Sequence, residues 1–345
     1  MPAHFITISV TPDPEFKAMS FLTTLPLERY SPDAFDRFDA TSSDFNLGTG
    51  KAMAWACQLA YETAEPPKID IIAGRWKCTV PVAVISENTA TVLPMSSTQL
   101  IVFVHRDAVI ISFAGTDPLT LTDWITDFDI KNTDQGSADG FAVAAQSVQQ
   151  KIEAVLQQPA FANKPIFVTG HSLGAALAAL TAQKIDAANP GSVRAVYTYG
   201  MPRTGNAQFA SAYNQALGAR TYRMVHGDDV VPTVPPALPP PLPGPCHVGR
   251  FLHCVRLGKF DAGTLAPTTG SDEPNFVKGI SAQLKQMHHG PLSEIMSFAA
   301  RTKLAAALTL GIGPPGLRTD PGGIAIELLP LPLRDHMPDR YIGGF

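Results

Sequence analysis

Apolar runs alternating with helical segments predict an α/β fold with a mostly parallel central sheet and helices on both faces. Three observations carry that prediction. Short apolar runs at 166–169, 194–199 and 221–225 are separated by stretches long enough for a helical crossover, the connection that parallel neighbours require. The pentapeptide Gly170-His171-Ser172-Leu173-Gly174 stands where the first run gives way to an alanine-rich segment, so a strand feeds directly into a helix. With 345 residues, 45% of them hydrophobic, the chain can bury a sizeable core, as one large domain with insertions or as two modest ones.

Residues 1–47 scatter Pro and Asp without a sustained period and read as irregular. GKAMAWACQLAY (50–61) reads as a buried helix opening the domain. STQLIVFVHRDAVIISFAG (97–115) is two apolar runs split by Arg106-Asp107, the pattern of a β-hairpin. A helix at about 141–156, a strand at 166–169, a helix at 172–184 and a strand at 194–199 follow. Asn206 is placed to cap the next helix, and 221–225 is the strand after it. PPALPPPLPGP (235–245) fits neither a central strand nor a helix interior. It reads as a stiff surface connector, with a polyproline ligand for a partner domain as the alternative. A helical stretch at about 276–312 and a Pro/Gly-rich tail complete the chain.

Composition excludes several roles. A net charge of −4 without a long basic block argues against nucleic-acid binding. No run approaches the ~20 apolar residues that span a bilayer, and the nearest, LAAALTLGIG (304–313), is flanked by Arg301 and Lys303. The opening MPAHFITISVTPDPEF has no Lys or Arg and only a short apolar run, so no secretory signal is read. The expected location is cytoplasmic, or exported without a cleaved signal. Cys57, Cys78, Cys246 and Cys254 are too few for a disulfide scaffold and are expected as reduced thiols. Cys246 and Cys254 are close enough to pair in an oxidising compartment, and beside His247 and His253 they invite a zinc reading. Their spacing fits no tight structural zinc pattern, so no metal is expected.

The serine between two glycines carries the chemistry. A sharp strand-to-helix turn forces Ser172 into a strained conformation with backbone passing close by, and Gly170 and Gly174 remove the Cβ atoms that would clash. The hydroxyl is then held at a helix N-terminus, where the Leu173 N–H can donate to a developing oxyanion. A serine merely capping a core helix is the plainer alternative. As a nucleophile it needs a base, and the base an orienter. Asp228 and Asp229 follow the strand at 221–225, and His247, His253, His288, His289 and His336 come after them.

Six segments in order resemble the class 3, fungal-type lipases of the α/β-hydrolase superfamily. They are VIISFAGT (109–116), LTDWITDF (121–128), GHSLG, YTYGMPRTGNAQFA (197–210), DDVVPTVPP (228–236) and HVGRFL (247–252). The resemblance covers about 100–254 and matches little of 1–90 or 255–330. It implies one α/β-hydrolase domain over 1–345, with a lid at about 117–130 and a helical, Pro-rich insertion at about 255–330. Carried over by position, Ser172 is the nucleophile, Asp229 the acid with Asp228 as its neighbour, and Thr116 the second oxyanion donor beside Leu173. The chain departs from the family in having Ala114 where members usually carry arginine, which loses an ion pair near the oxyanion loop. For the base, the fungal spacing points to His288 or His289. RDHMPDRYI (334–342) resembles the D-H-x-x-x-x-Y signature of bacterial relatives and selects His336, with Asp335 orienting its loop. His171, His226 and His247 are read as structural.

In DPLTLTDWITDFDI (117–130), Leu121, Trp124, Ile125 and Phe128 fall at i, i+3, i+4 and i+7, one apolar helix face. A helix packed permanently on the core has the same pattern, but the position directly after Thr116 favours a lid over the acyl site. The resemblance thus implies a serine-dependent carboxylic ester hydrolase acting on lipid esters at an oil–water or membrane interface, a triacylglycerol lipase first. Phospholipase A1, mono- or diacylglycerol lipase and feruloyl esterase activities are the alternatives within the family. A catalytically inactive lipid- or partner-binding protein is the alternative outside enzymes. No cofactor is implied, and a monomer is expected.

Overall fold

The structure, a computed structural model, describes residues 22–89, 97–116, 121, 136–235, 244–267, 329 and 331–345. Among these, seven strands form one sheet in chain order: β1 (Ala83–Asn88), β2 (Ser97–His105), β3 (Ala108–Phe113), β4 (Ile166–His171), β5 (Val193–Tyr199), β6 (Thr221–His226) and β7 (Arg250–Cys254). β1, β2 and β3 pair antiparallel, and β3 through β7 are parallel. The β2–β3 turn is the expected Arg106-Asp107 pair, with Arg106 at φ 52. The helices are α1 (Leu47–Ala60), α2 (Pro66–Arg75), α3 (Gly136–Leu156), α4 (Leu173–Ala188), α5 (Ala207–Ala216), α6 (Leu331–Asp335) and α7 (Pro338–Gly343). Asn46 caps α1 through Thr49 N–H, and Asn206 caps α5 through Phe209 N–H.

Alternation along the strands sends side chains to two separate cores. Leu100, Val102, Val109, Ile111, Ile166, Val168 and Val196 face α3, α4 and α5. Ile101, Phe103, Ile110, Phe167, Ala195, Tyr197, Tyr222 and Met224 face the opposite way, against residues 25–38, α1, α2 and α7. The strand order explains the split. Each parallel connection moves one strand in the same direction, and right-handed crossovers then place α3, α4 and α5 on one face. The other face is covered by the segments at 22–76 and 338–345.

β1 and β7 were not expected from the sequence, nor were α2, α6 and α7. Residues 255–267, the opening of the expected insertion, lie against the body of the domain. Phe260 is buried on the Tyr341 ring, and its N–H donates to Gly344 O at 2.8 Å. The proline tract at 236–243, the helical stretch at 276–312, and His288 and His289 lie outside the described residues.

Candidate active site

Ser172 sits at the junction of β4 and α4 with φ 59 and ψ −133, a conformation a serine adopts only under constraint. The neighbouring glycines allow it. A methyl group on Gly170 would run into the Gly174 carbonyl, and one on Gly174 into the Ala114 carbonyl. Gly115 is under the same restriction: its Cβ would stand 2.7 Å from Ser172 Cβ and 2.7 Å from His171 O. The segment after β3 that carries Gly115 and Thr116 therefore passes close against the serine. Leu173 is the first residue of α4, so its N–H has no acceptor within the helix. Thr116 Oγ1 is buried without a hydrogen-bond partner among the described residues.

Asp229 follows β6 and is wholly buried. Its carboxylate receives three donors: Val231 N–H on Oδ1 at 2.8 Å, His336 Nδ1–H on Oδ2 at 2.8 Å, and the Tyr341 hydroxyl, also on Oδ2. His336 lies between α6 and α7 and is 2% exposed. Since Nδ1 carries the proton donated to Asp229, Nε2 holds the free lone pair. Among the described residues neither Nε2 nor Ser172 Oγ has a hydrogen-bond partner, so no direct bond joins the two in this structure. Their surroundings are shared. Ser172 N–H donates to Tyr199 O at 2.9 Å, and the next residue, Gly200, abuts both members of the pair.

His171 Nε2 lies 2.7 Å from the His336 carbonyl, which can only accept, so Nε2 carries the proton. Nδ1 then accepts from the Tyr61 hydroxyl at 2.6 Å. Burial, reinforced by the His336 ring whose centroid is 4.6 Å away, drives the His171 pKa well below its ordinary value and keeps it neutral. His171 thus holds His336 from the backbone side. His247 Nε2–H donates to Pro232 O at 2.8 Å, tying the segment after Asp229 in place. His226 lies 6.0 Å from Tyr341, ring to ring, with its pKa lowered by burial. Asp228 is engaged away from the pair, in an ion pair with Arg256 at 2.7 Å.

The fold therefore gathers Ser172, Leu173, Thr116, Asp229 and His336 at the C-terminal ends of the parallel strands. Leu121 is buried in the core facing α3 and α4. Trp124, Ile125 and Phe128 lie outside the described residues. Cys246 and Cys254 are free thiols, and no metal-binding group of His, Cys, Asp or Glu occurs among the described residues. The surroundings of the pair were not read from the sequence. Tyr341 is the final letter of the D-H-x-x-x-x-Y signature and so was within reach, whereas Tyr61 and Arg256 carried no local signal.

A mostly parallel sheet that carries a serine on a strand-to-helix elbow is the architecture of the α/β-hydrolase fold. Residues 110–238 match the family model of the class 3 lipases. It is 39% identical over 139 residues to secreted mono- and diacylglycerol lipase 1 of Fusarium solani, covering 38% of this chain and 40% of that one. It is also 39% identical over 97 residues to a lipase of Caenorhabditis elegans, covering 28% of this chain and 27% of that one. The matched stretch thus spans less than half the length of these relatives. The native Rhizomucor miehei lipase–propeptide complex superposes with a TM-score of 0.48 at 24% identity, over 77% of this chain and 89% of that one. No helix among the described residues is long and apolar enough to cross a membrane.

Proposed function

We propose that this chain is a serine-dependent carboxylic ester hydrolase acting on lipid esters, with Ser172 as nucleophile, His336 as base and Asp229 as its orienting acid. The observation that supports this most is the buried 2.8 Å contact from His336 Nδ1 to Asp229, which leaves Nε2 unused, in the same enclosure as a serine held at φ 59. His336 takes the hydroxyl proton as Ser172 Oγ attacks the ester carbonyl, and Asp229 stabilises the imidazolium. The N–H groups of Leu173 and Thr116 hold the oxyanion. His336 then protonates the departing alcohol, and water, deprotonated by the same imidazole, hydrolyses the acyl-enzyme.

The 117–130 segment, by the apolar face read in its sequence, is assigned the role of a lid over the acyl chain. Triacylglycerols are the first substrate class, by the apolar face of that segment. The Fusarium relative, named a mono- and diacylglycerol lipase, favours a second reading, mono- and diacylglycerols. That relative is named as secreted, which supports export of this chain as well. A fluorophosphonate should label wild-type protein at Ser172 and leave Ser172→Ala unlabelled. A folded wild-type protein that resists labelling and hydrolyses no ester would instead leave the inactive binding protein. Initial rates on tri-, di- and monoacylglycerols, phospholipids and feruloyl esters then separate the substrate classes.

A further inference from the structure

β7 runs parallel beside β6 in a register that pairs His226 with Cys254, so Arg256 emerges next to the turn that carries the acid. That turn is fastened to β7 by Gly227 N–H to Cys254 O at 2.8 Å and by His253 Nε2–H to Gly227 O at 2.8 Å. From there the guanidinium reaches two carboxylates. Nη2 lies 2.7 Å from Asp228 Oδ2, while Nε and Nη2 lie 2.9 and 2.6 Å from Asp335 Oδ2. Asp335, only 2% exposed, also accepts Asp228 N–H at 2.8 Å. Gly227, at φ 55, makes room for it, since a methyl group there would strike the Asp335 carboxylate. Asp228 immediately precedes Asp229, and Asp335 immediately precedes His336. One side chain therefore joins the residues just before the acid and just before the base.

We propose that Arg256 is a positioning residue that sets the register between Asp229 and His336. The inference rests on the serine hydrolase reading given above. Asp229 and His336 are separated by 107 positions in the chain, so contacts through space rather than adjacent backbone align them. Among the described residues those contacts include the clamp, the Tyr341 hydroxyl and the His171 bond to the His336 carbonyl. Without Arg256, Asp335 is a buried carboxylate lacking its countercharge, which such a site does not tolerate. The loop bearing His336 then shifts, and His336 Nδ1 moves off Asp229.

The test uses the full-length protein with a soluble short-chain p-nitrophenyl ester, comparing wild type, Arg256→Gln, Arg256→Lys, Asp335→Asn and Arg256→Gln/Asp335→Asn. Loss of alignment on the ångström scale costs on the order of 10- to 100-fold in turnover. Arg256→Gln should lower kcat by that factor with KM little changed, and fluorophosphonate labelling should slow in parallel. The pH profile of turnover should also move, because both the His336–Asp229 contact and the charge balance at Asp228 and Asp335 change. Arg256→Lys should restore part of the rate, and the double variant should lose no more than the worse single one.

Turnover within twofold of wild type in Arg256→Gln overturns the proposal. So does a loss of turnover that comes with an unmoved pH profile and only a lowered thermal midpoint, since that marks general destabilisation. Should Arg256→Gln fail to fold, Asp335→Asn carries the same criteria. A wild-type protein inert to fluorophosphonate overturns the hydrolase reading itself, whereas reactive wild type with equally reactive variants overturns only the role of Arg256.

Discussion

Gly200 offers the sharpest test of the acid–base geometry, because its substitution inserts a single carbon beside that contact. Alanine at this position would place Cβ 2.7 Å from Asp229 Oδ2, 2.8 Å from His336 Nδ1 and 2.8 Å from His336 Cε1. Those separations are about 0.6 Å shorter than ordinary van der Waals contact begins. The neighbours must retreat, and both belong to one hydrogen bond. A misplacement of 1 Å costs roughly 100-fold in rate, so Gly200→Ala should lose on the order of 10- to 100-fold in kcat, a barrier increase of about 1.4–2.8 kcal/mol. The residue also sits at φ 60, so the variant carries left-handed strain of roughly 1–2 kcal/mol in stability. Gly191→Ala controls for that strain: its φ is 84 and no atom stands within 4 Å of the added carbon. The assay is p-nitrophenyl butyrate hydrolysis with circular dichroism and thermal midpoints for both variants. Full activity in Gly200→Ala, or an equal loss of activity in Gly191→Ala, would refute the reasoning.

Other outcomes follow from the same site. Ser172→Ala should abolish ester hydrolysis by many orders of magnitude while keeping the fold, which turnover by the purified variant above background would contradict. Tyr341→Phe removes one of three donors to a buried carboxylate and should cost about 1.5–3 kcal/mol of stability, read by urea titration. His171 is neutral when folded, with its pKa held well below 6.5 by burial, so its contribution to stability is complete above pH 6.5 and is lost as pH falls from there. Thermal midpoints between pH 7 and 4 should therefore fall less steeply in His171→Gln, with buried His105 and His226 supplying part of the remaining slope. Burial pushes the Cys57 and Cys78 thiols up to about 12, so iodoacetamide at pH 8 should leave hydrolysis intact. Trp124→Ser should impair emulsified triglyceride hydrolysis far more than soluble short-chain ester hydrolysis, and equal losses would refute the lid role of the 117–130 segment.

What could be read from the sequence was local. The β2–β3 hairpin, β4 and the elbow were legible because apolar runs, a polar turn and two glycines lie within a few residues of the structure they specify. β1, AVISEN, escaped because it is an edge strand with only one fully buried position, and β7 because five residues are too few to show a period. The choice of His336 over His288 and His289 rested on the four-residue spacing between histidine and tyrosine. The structure gives that spacing a physical meaning, since His336 and Tyr341 meet on the same Asp229 oxygen. Arg256 and Gly200 were beyond such reading. Each acts through neighbours that pairing of strands, rather than proximity in sequence, brings beside it.

The division of the interior into two cores has a consequence for the order of events in folding. The face covered by α3, α4 and α5 is assembled from crossovers that return to the next strand, so its loops close at modest entropic cost. The opposite face joins residues 25–76 to Tyr341 and Phe345 across most of the chain, contacts of the kind that form slowly. Phe345 closes that face by resting against Gly50 and Tyr199. His336 belongs to this late-arriving segment, whereas Ser172 and Asp229 belong to the early one. During refolding from denaturant, far-ultraviolet ellipticity should therefore recover before fluorophosphonate reactivity, and the delay should measure the docking of residues 331–345.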